Sequence, residues 1–328
     1  MKLPVSAKYI PLLATALVLV GLYTLGCVSF DNFGSLRVLV NLVGDNAFLG
    51  VAAVGATFVI LSGGIDLSVG AVVAFTSIFI ASAVEKGMNP QLAILLALVL
   101  GALFGTGMGL LIRIFHLPPF LVTLAGMFLA RGLGFVIAPQ SVGITHPFFL
   151  EKISESLAIP LNDRVSIPFT ATCYVVIFLL ALFVAHYTRF GRFIYALGGD
   201  EQSATLMGLP VGRTKVLIYT VSGFCSALAG VIYTFYTQSG DPASCVGLEL
   251  DAIAAVVIGG TLLSGGVGFM AGTLMGVLIL GLIQTLITFK GDLNTWWTKI
   301  VIGMLVLAFI LLQNFIANAS ARLKTAHK

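Results

Sequence analysis

Charge is what this sequence has least of. Only 9% of its 328 residues are Asp, Glu, Lys or Arg, against about 25% in an average soluble domain. That is too few to coat a water-soluble core, and 59% of the chain is hydrophobic. Cys27, Cys173, Cys225 and Cys245 are scattered without a Cys-x-x-Cys pair, and the four histidines stand apart. Metal ligation at familiar spacings is thereby excluded, and the cysteines read as small core residues. Walker A, Gly-x-Ser-x-Gly and His-Glu-x-x-His motifs are absent, so no ATPase or hydrolase site is expected in this chain. No bound cofactor, metal or nucleic acid is expected either.

What the sequence does have is long apolar runs and 37 glycines. A helix needs roughly 20 apolar residues to cross the hydrocarbon layer, and small residues let such helices pack closely. The runs predict an all-α integral membrane protein in contact with lipid, one domain over 1–328. About ten spans are expected: 9–29, 46–62, 67–84, 91–113, 119–138, 169–187, 214–236, 251–264, 268–289 and 297–316. The apolar run after Lys2 and Lys8 reads as a retained first helix. With both termini cytoplasmic, ten of the 17 basic residues fall inside, among them Lys2, Lys8, Arg113, Arg189, Arg192, Arg213 and Lys215. Six fall outside, among them Arg37, Lys86, Lys290 and Lys299. The excess inside favours this orientation.

One motif occurs twice. Leu61 to Gly64 and Leu263 to Gly266 both read Leu-Ser-Gly-Gly, each after a small-residue apolar run with a Thr (Thr57, Thr261). The chain divides into a first half, 1–140, and a second, 169–328, joined by an external loop, 139–168, which holds Asp163 and Arg164. Five spans per half would give the halves opposite topology, the inverted-repeat plan of many transporters. Glycine-interrupted apolar segments at matching places point to a translocation path, because unpaired backbone at membrane depth must line a cavity or be buried in protein. Candidate pathway or gate residues are therefore Gly63, Gly64, Asp66, Asn46, Ser264, Gly265 and Gly266. Asp66 has two readings: a polar contact on the path, or a cap accepting backbone N–H groups of the following helix. Asp45 and Asn46 open one candidate span and Glu249 and Asp251 another. Arg131 is expected to snorkel or to pair with one of these acids, and Gln284, Trp296 and Trp297 to lie near the outer interface.

The internal loop, 188–213, has a basic start, then Gly198-Gly199 and the acids Asp200 and Glu201 where a short helix would begin. Leu206, Met207 and Leu209 offer an apolar stripe, and Gly208 and Pro210 stop the helix. Such a helix suits docking into a groove on another protein.

Three segments carry a family resemblance: ILSGGIDLSVGAVVAF (60–75), TRFGRFIYALGGDEQSATLMGLPVGRTK (188–215) and ELDAIAAVVIGGTLLSGGVGFMAGTLMG (249–276). Along nearly its whole length the chain resembles the permease subunits of bacterial sugar ABC importers of the ribose/galactose class. Stretches 43–51, 144–149, 236–240, 260–268 and 294–300 resemble the galactofuranose importer permeases in particular. The resemblance implies an inner-membrane permease importing a monosaccharide into the cytoplasm. It also implies a sister permease, an ATP-binding subunit with two nucleotide-binding domains that uses ATP and Mg2+, and a periplasmic sugar-binding protein. Gly198, Gly199, Asp200, Glu201, Ala204 and Gly208 would correspond to the coupling helix that engages the ATPase. Asp200 stands where the family has Asn, and Thr205-Leu206-Met207 where it has Arg-Leu-Ser. The alternative is a stand-alone ion-coupled sugar transporter, which would ordinarily need more charge at mid-membrane.

Overall fold

A computed structural model describes residues 10–152, 158–162, 165–291 and 296–325. Lys2, Lys8, Asp163, Arg164 and Asn294 fall outside the described residues. The helices are α1 (Ile10–Ser29), α2 (Leu36–Asp45), α3 (Ala47–Leu61), α4 (Val69–Glu85), α5 (Pro90–Phe115), α6 (Pro119–Ile137) and α7 (Phe169–Tyr187). There follow α8 (Arg189–Gly199), α9 (Glu201–Leu206), α10 (Val211–Thr237), α11 (Leu248–Ile258), α12 (Met270–Lys290) and α13 (Trp296–Thr325).

Helices fill all ten expected stretches, though not all are long enough to cross a membrane unaided. Seven of them (α1, α5, α6, α7, α10, α12 and α13) are long and apolar enough to cross a membrane, and α2 with α3 makes an eighth, bent by 53°. This is a multi-pass membrane protein. Helix α11 has 11 residues and stops at Ile258, not near 264, because Gly259 and Gly260 follow and Gly260 has φ +89°. The sequence reading missed α2, which Ser35 caps by accepting the Val38 N–H. Two short antiparallel strand pairs, Val142–Gly143 with Ser239–Gly240 and Ile159–Asn162 with Val165–Ile167, qualify the all-α reading.

Helix α3 is the hub. It is apolar on every side, the pattern of a fully buried helix, and every residue from Leu49 to Leu61 is buried. The Tyr174 ring of α7 lies over Gly50, and Ser222 and Cys225 of α10 lie over Gly55. On a third side the hydroxyls of Thr57 and Thr273 (α12) are 2.8 Å apart. Beside the hub, α5 turns Gly101, Gly105 and Gly109, spaced four apart, onto α10. A Cβ there would strike Ala227, the Tyr219 carbonyl and Val216 respectively, so the two backbones approach as small-residue membrane interfaces allow. Leu17, Phe128 and Leu180 point outward, more than half exposed, as lipid-facing side chains do. Of the cysteines Cys225 is buried, Cys173 and Cys245 are partly buried against the core, and Cys27 is exposed, which corrects the core reading for Cys27.

Ending α11 inside the bundle exposes its last carbonyls, each costly to bury unpaired. The turn after the helix satisfies Ala255, Val256 and Val257 with the N–H groups of Gly259, Thr261 and Gly260, and two neighbouring helices add donors. Gln313 of α13 donates to the Val257 carbonyl at 3.2 Å, and the Thr15 hydroxyl of α1 donates to that of Ile258 at 2.5 Å.

Candidate functional site

The two Leu-Ser-Gly-Gly segments meet. The Gly266 N–H donates to the Leu61 carbonyl at 2.9 Å, so the end of α3 with the loop after it (62–68) and the loop after α11 (259–269) form one junction. Broken segments of inverted repeats characteristically meet at the interface between the halves, and these two copies, one from each half, are in direct contact. Gly63, Gly265 and Gly266 have φ of +81°, +85° and +74°, a region that disfavours every residue with a side chain.

The junction holds a third strand of backbone. Gly198, at the end of α8, lies so close that a Cβ would fall on the Leu61 carbonyl and the Gly266 nitrogen. A Cβ on Gly265 would meet Gly63 and Gly198, one on Gly266 would meet Gly199, and one on Gly63 would come within 3.3 Å of the Ser264 carbonyl. The Tyr195 hydroxyl of α8 adds a bond to the Gly268 carbonyl at 2.9 Å. Two residue sets that the sequence kept separate, pathway and coupling, are in direct contact.

The internal loop folds as two helices rather than the single one expected. Thr188 caps α8 by accepting the Gly191 N–H at 3.2 Å, and Ile194 and Leu197 bury its inner face. Asp200 then caps α9, accepting the Ser203 N–H at 2.6 Å. Hydrogen bonds from the Ser203 side chain and backbone hold the Asp200 carboxyl below its ordinary value. Ala204 is buried beneath α9, and Gly208 ends that helix at φ +76°. Glu201 pairs with Lys215 of α10 at 2.6 Å, fixing α9 to the bundle. Leu206 and Met207 are 89% and 67% exposed while Leu209 is partly buried, so two of the three residues of the predicted apolar stripe have no cover among the described residues.

Asp66 is buried and, of the N–H groups expected in the capping reading, accepts that of Ser68, the residue that itself stands at the N-cap of α4. Its Oδ1 accepts the Ser68 N–H at 2.9 Å and the Ser68 hydroxyl at 2.7 Å. The structure adds what the sequence did not show: its Oδ2 accepts the Ser222 hydroxyl of α10 at 2.7 Å. The adjacent Ile65 carbonyl accepts Thr123 of α6 at 3.2 Å. The Tyr219 hydroxyl closes over Gly64, leaving no space for a Cβ.

At the other end of α3, roughly 22 Å away for 15 residues, lies a cavity of about 560 Å³. Asp45, Asn46, Asp251 and Gln284 line it, so two of the predicted acidic span openings converge there. Glu249 does not line it; it turns toward Gly70 of α4. Lys299 of α13 pairs with both Asp251 oxygens, at 2.7 and 2.6 Å. Arg131 corrects its expectation by donating to two backbone carbonyls, Pro242 at 2.8 Å and Ser244 at 2.5 Å, which holds the loop beside the cavity. Sequence reasoning missed Ser222, Thr15, Tyr195 and Gln313. An amide in an apolar run was a usable signal for Gln313; the hydroxyls gave none, since a Thr or Ser in a helix usually bonds its own backbone.

Residues 38–310 match the family model described as "Branched-chain amino acid transport system / permease component". The chain belongs to this permease family. The permease is 50% identical over 311 residues to the inner membrane ABC transporter permease protein YjfF of Escherichia coli K12, covering 93% of this chain and 92% of that one. It is 39% identical to the fructose import permease protein FruG of Bifidobacterium longum, covering 93% and 91%. The ribose import permease protein RbsC of Bacillus subtilis is 40% identical, covering 84% of each. No solved structure matches the permease significantly.

Proposed function

We propose that this permease is the membrane-spanning subunit of an ATP-driven importer that carries a monosaccharide, galactofuranose, from periplasm to cytoplasm. Relatives named for fructose and ribose import, similar over nearly their full length, support the sugar class over the amino acids in the family's description. The narrower choice rests on the resemblance to galactofuranose permeases. In this reading both termini are cytoplasmic, the glycine junction faces the cytoplasm and the cavity faces the periplasm. The partners are a sister permease, an ATPase with two nucleotide-binding domains that uses ATP and Mg2+, and a periplasmic sugar-binding protein.

One observation carries the reading: backbone contact between Gly198 and the junction, at the end of a helix pair that leaves Leu206 and Met207 uncovered. The ATPase seats on α9, and its closure displaces α8. Because Gly198 meets Leu61 and Gly266 backbone to backbone, no side chain can absorb the movement by changing rotamer. The displacement passes to both loops, strains the Gly266–Leu61 hydrogen bond and moves the ends of α3 and α11 apart. Such a contact is effective because packed interfaces shift between discrete arrangements rather than deform smoothly.

The test is ATP-dependent uptake of labelled galactofuranoside by proteoliposomes holding the permease and its three partners. Uptake should require ATP, and Glu201→Lys or Gly208→Val should abolish it together with ATPase association. Unchanged uptake and association in both variants would overturn the coupling role. Uptake driven by an ion gradient without ATP or partners would overturn the importer reading itself.

A further inference from the structure

The cavity has more polar lining than a passive mouth needs. Its volume of about 560 Å³ falls within the roughly 300–1,000 Å³ of small-molecule sites. Asn41, Asp45 and Gln284 line it, and none of the three makes a side-chain hydrogen bond or ion pair among the described residues. Amides and a carboxylate are the groups that meet a dense set of hydroxyls, the amides offering both donors and acceptors and the carboxylate two acceptor oxygens.

One wall is aromatic. The Phe48 ring meets Tyr233 edge-on with centroids 5.2 Å apart, and lies tilted against Tyr236 at 6.0 Å. All three rings line the cavity. A pyranose or furanose ring has that amphipathic character, with hydroxyls at its edge and C–H groups on its faces.

The charges set a further condition. Among the described residues no Lys, Arg or His lines the cavity, and the acids that do are Asp45 and Asp251. Lys299 neutralises Asp251, while Asp45 has no ion-pair partner among the described residues. The lining therefore carries net negative charge in a confined space, where field lines are focused and anions are disfavoured.

We infer that this cavity is a sugar-recognition site belonging to the permease itself, selective for neutral monosaccharides over uronates and sugar phosphates. Asn41, Asp45 and Gln284 bind the hydroxyls, Phe48, Tyr233 and Tyr236 take the ring face, and Asp45 rejects anions. The inference rests on the importer reading above and adds a second selection step, after the binding protein. A site built to hydrogen-bond hydroxyls discriminates strongly, because an ill-matched ligand leaves its polar groups unpaired.

The experiment uses the full chain in lipid nanodiscs without partners, titrated with methyl β-D-galactofuranoside, D-ribose and D-galacturonate by saturation-transfer NMR. The neutral sugars should bind about tenfold or more tightly than galacturonate, on the scale of a single focused charge. Asp45→Asn should narrow that gap, and the Asn41→Ala/Gln284→Ala pair should weaken neutral-sugar binding about fivefold or more, on the scale of one or two lost hydrogen bonds. Thermal unfolding close to wild type shows that each variant is folded; should Asp45→Asn fail to fold, Asp45→Ser replaces it. Two results would overturn the site: no neutral sugar bound by the wild-type chain, or galacturonate bound as well as the neutral sugars. Such a result beside normal ATP-driven uptake in the complete assembly refutes the recognition site alone. Loss of uptake in the wild-type assembly refutes the importer reading instead.

Discussion

The N–H of Gly266 donates to the carbonyl of Leu61 at 2.9 Å, joining two Leu-Ser-Gly-Gly segments from opposite halves of the chain. Gly198 sits against both atoms, which makes this bond the point where the internal helix pair touches the two broken segments.

Gly198 and its neighbour Gly199 should therefore respond differently to the same change. A Cβ on Gly198 collides with backbone, whereas one on Gly199 meets nothing within 4 Å. Gly198→Ala should cost about 1–3 kcal/mol through overpacking and abolish uptake. Gly199→Ala should leave stability within about 0.5 kcal/mol. Thermal unfolding in detergent, paired with uptake, checks both.

The Asp66–Ser222 bond ties the first loop to α10. Asp66→Ala leaves the buried Ser222 hydroxyl and the Ser68 N–H without their acceptor, so it should destabilise by about 1–3 kcal/mol. Ser222→Ala should cost less, because Asp66 keeps its two bonds to Ser68. A double-mutant cycle should show coupling above about 0.5 kcal/mol. Additive effects would mean the contact contributes nothing as a pair.

Gln313→Ala removes the second donor to the Val257 carbonyl, which keeps its bond from the Gly260 N–H. The expected loss is about 0.5–1.5 kcal/mol for the bond plus the side chain's packing, seen as a lower unfolding temperature and faster proteolysis near α11. Gln313→Leu fills the volume yet still lacks the amide donor, leaving the Val257 carbonyl with only its Gly260 N–H bond, so it should rescue only the packing share.

On α9 the prediction is reversed. Leu206→Ser with Met207→Ser should change the stability of the isolated chain by no more than about 0.5 kcal/mol, since both side chains are exposed. The same pair should weaken co-purification of the ATPase and suppress uptake. Retained co-purification would remove the docking role from this stripe.

Scarce charge and long apolar runs were enough, from the sequence alone, to establish a multi-pass membrane protein. Local chemistry was also legible. Asp200 caps α9 and Gly208 ends it because N-caps and left-handed positions are set by a few adjacent residues. The short interrupted segments were found for the same reason, glycine pairs being local breaks. Only the tertiary structure decided which segments meet. The repeated motif marked one segment in each half, and packing brought both copies together against Gly198, a helix end the motif did not point to. Ser222 as the partner of Asp66, and Thr15 and Gln313 as donors to α11, could not be read from spacing. Hydrogen bonds between residues far apart in sequence depend on how helices turn and approach, and in an apolar chain nearly every helix face looks alike until its neighbours are known.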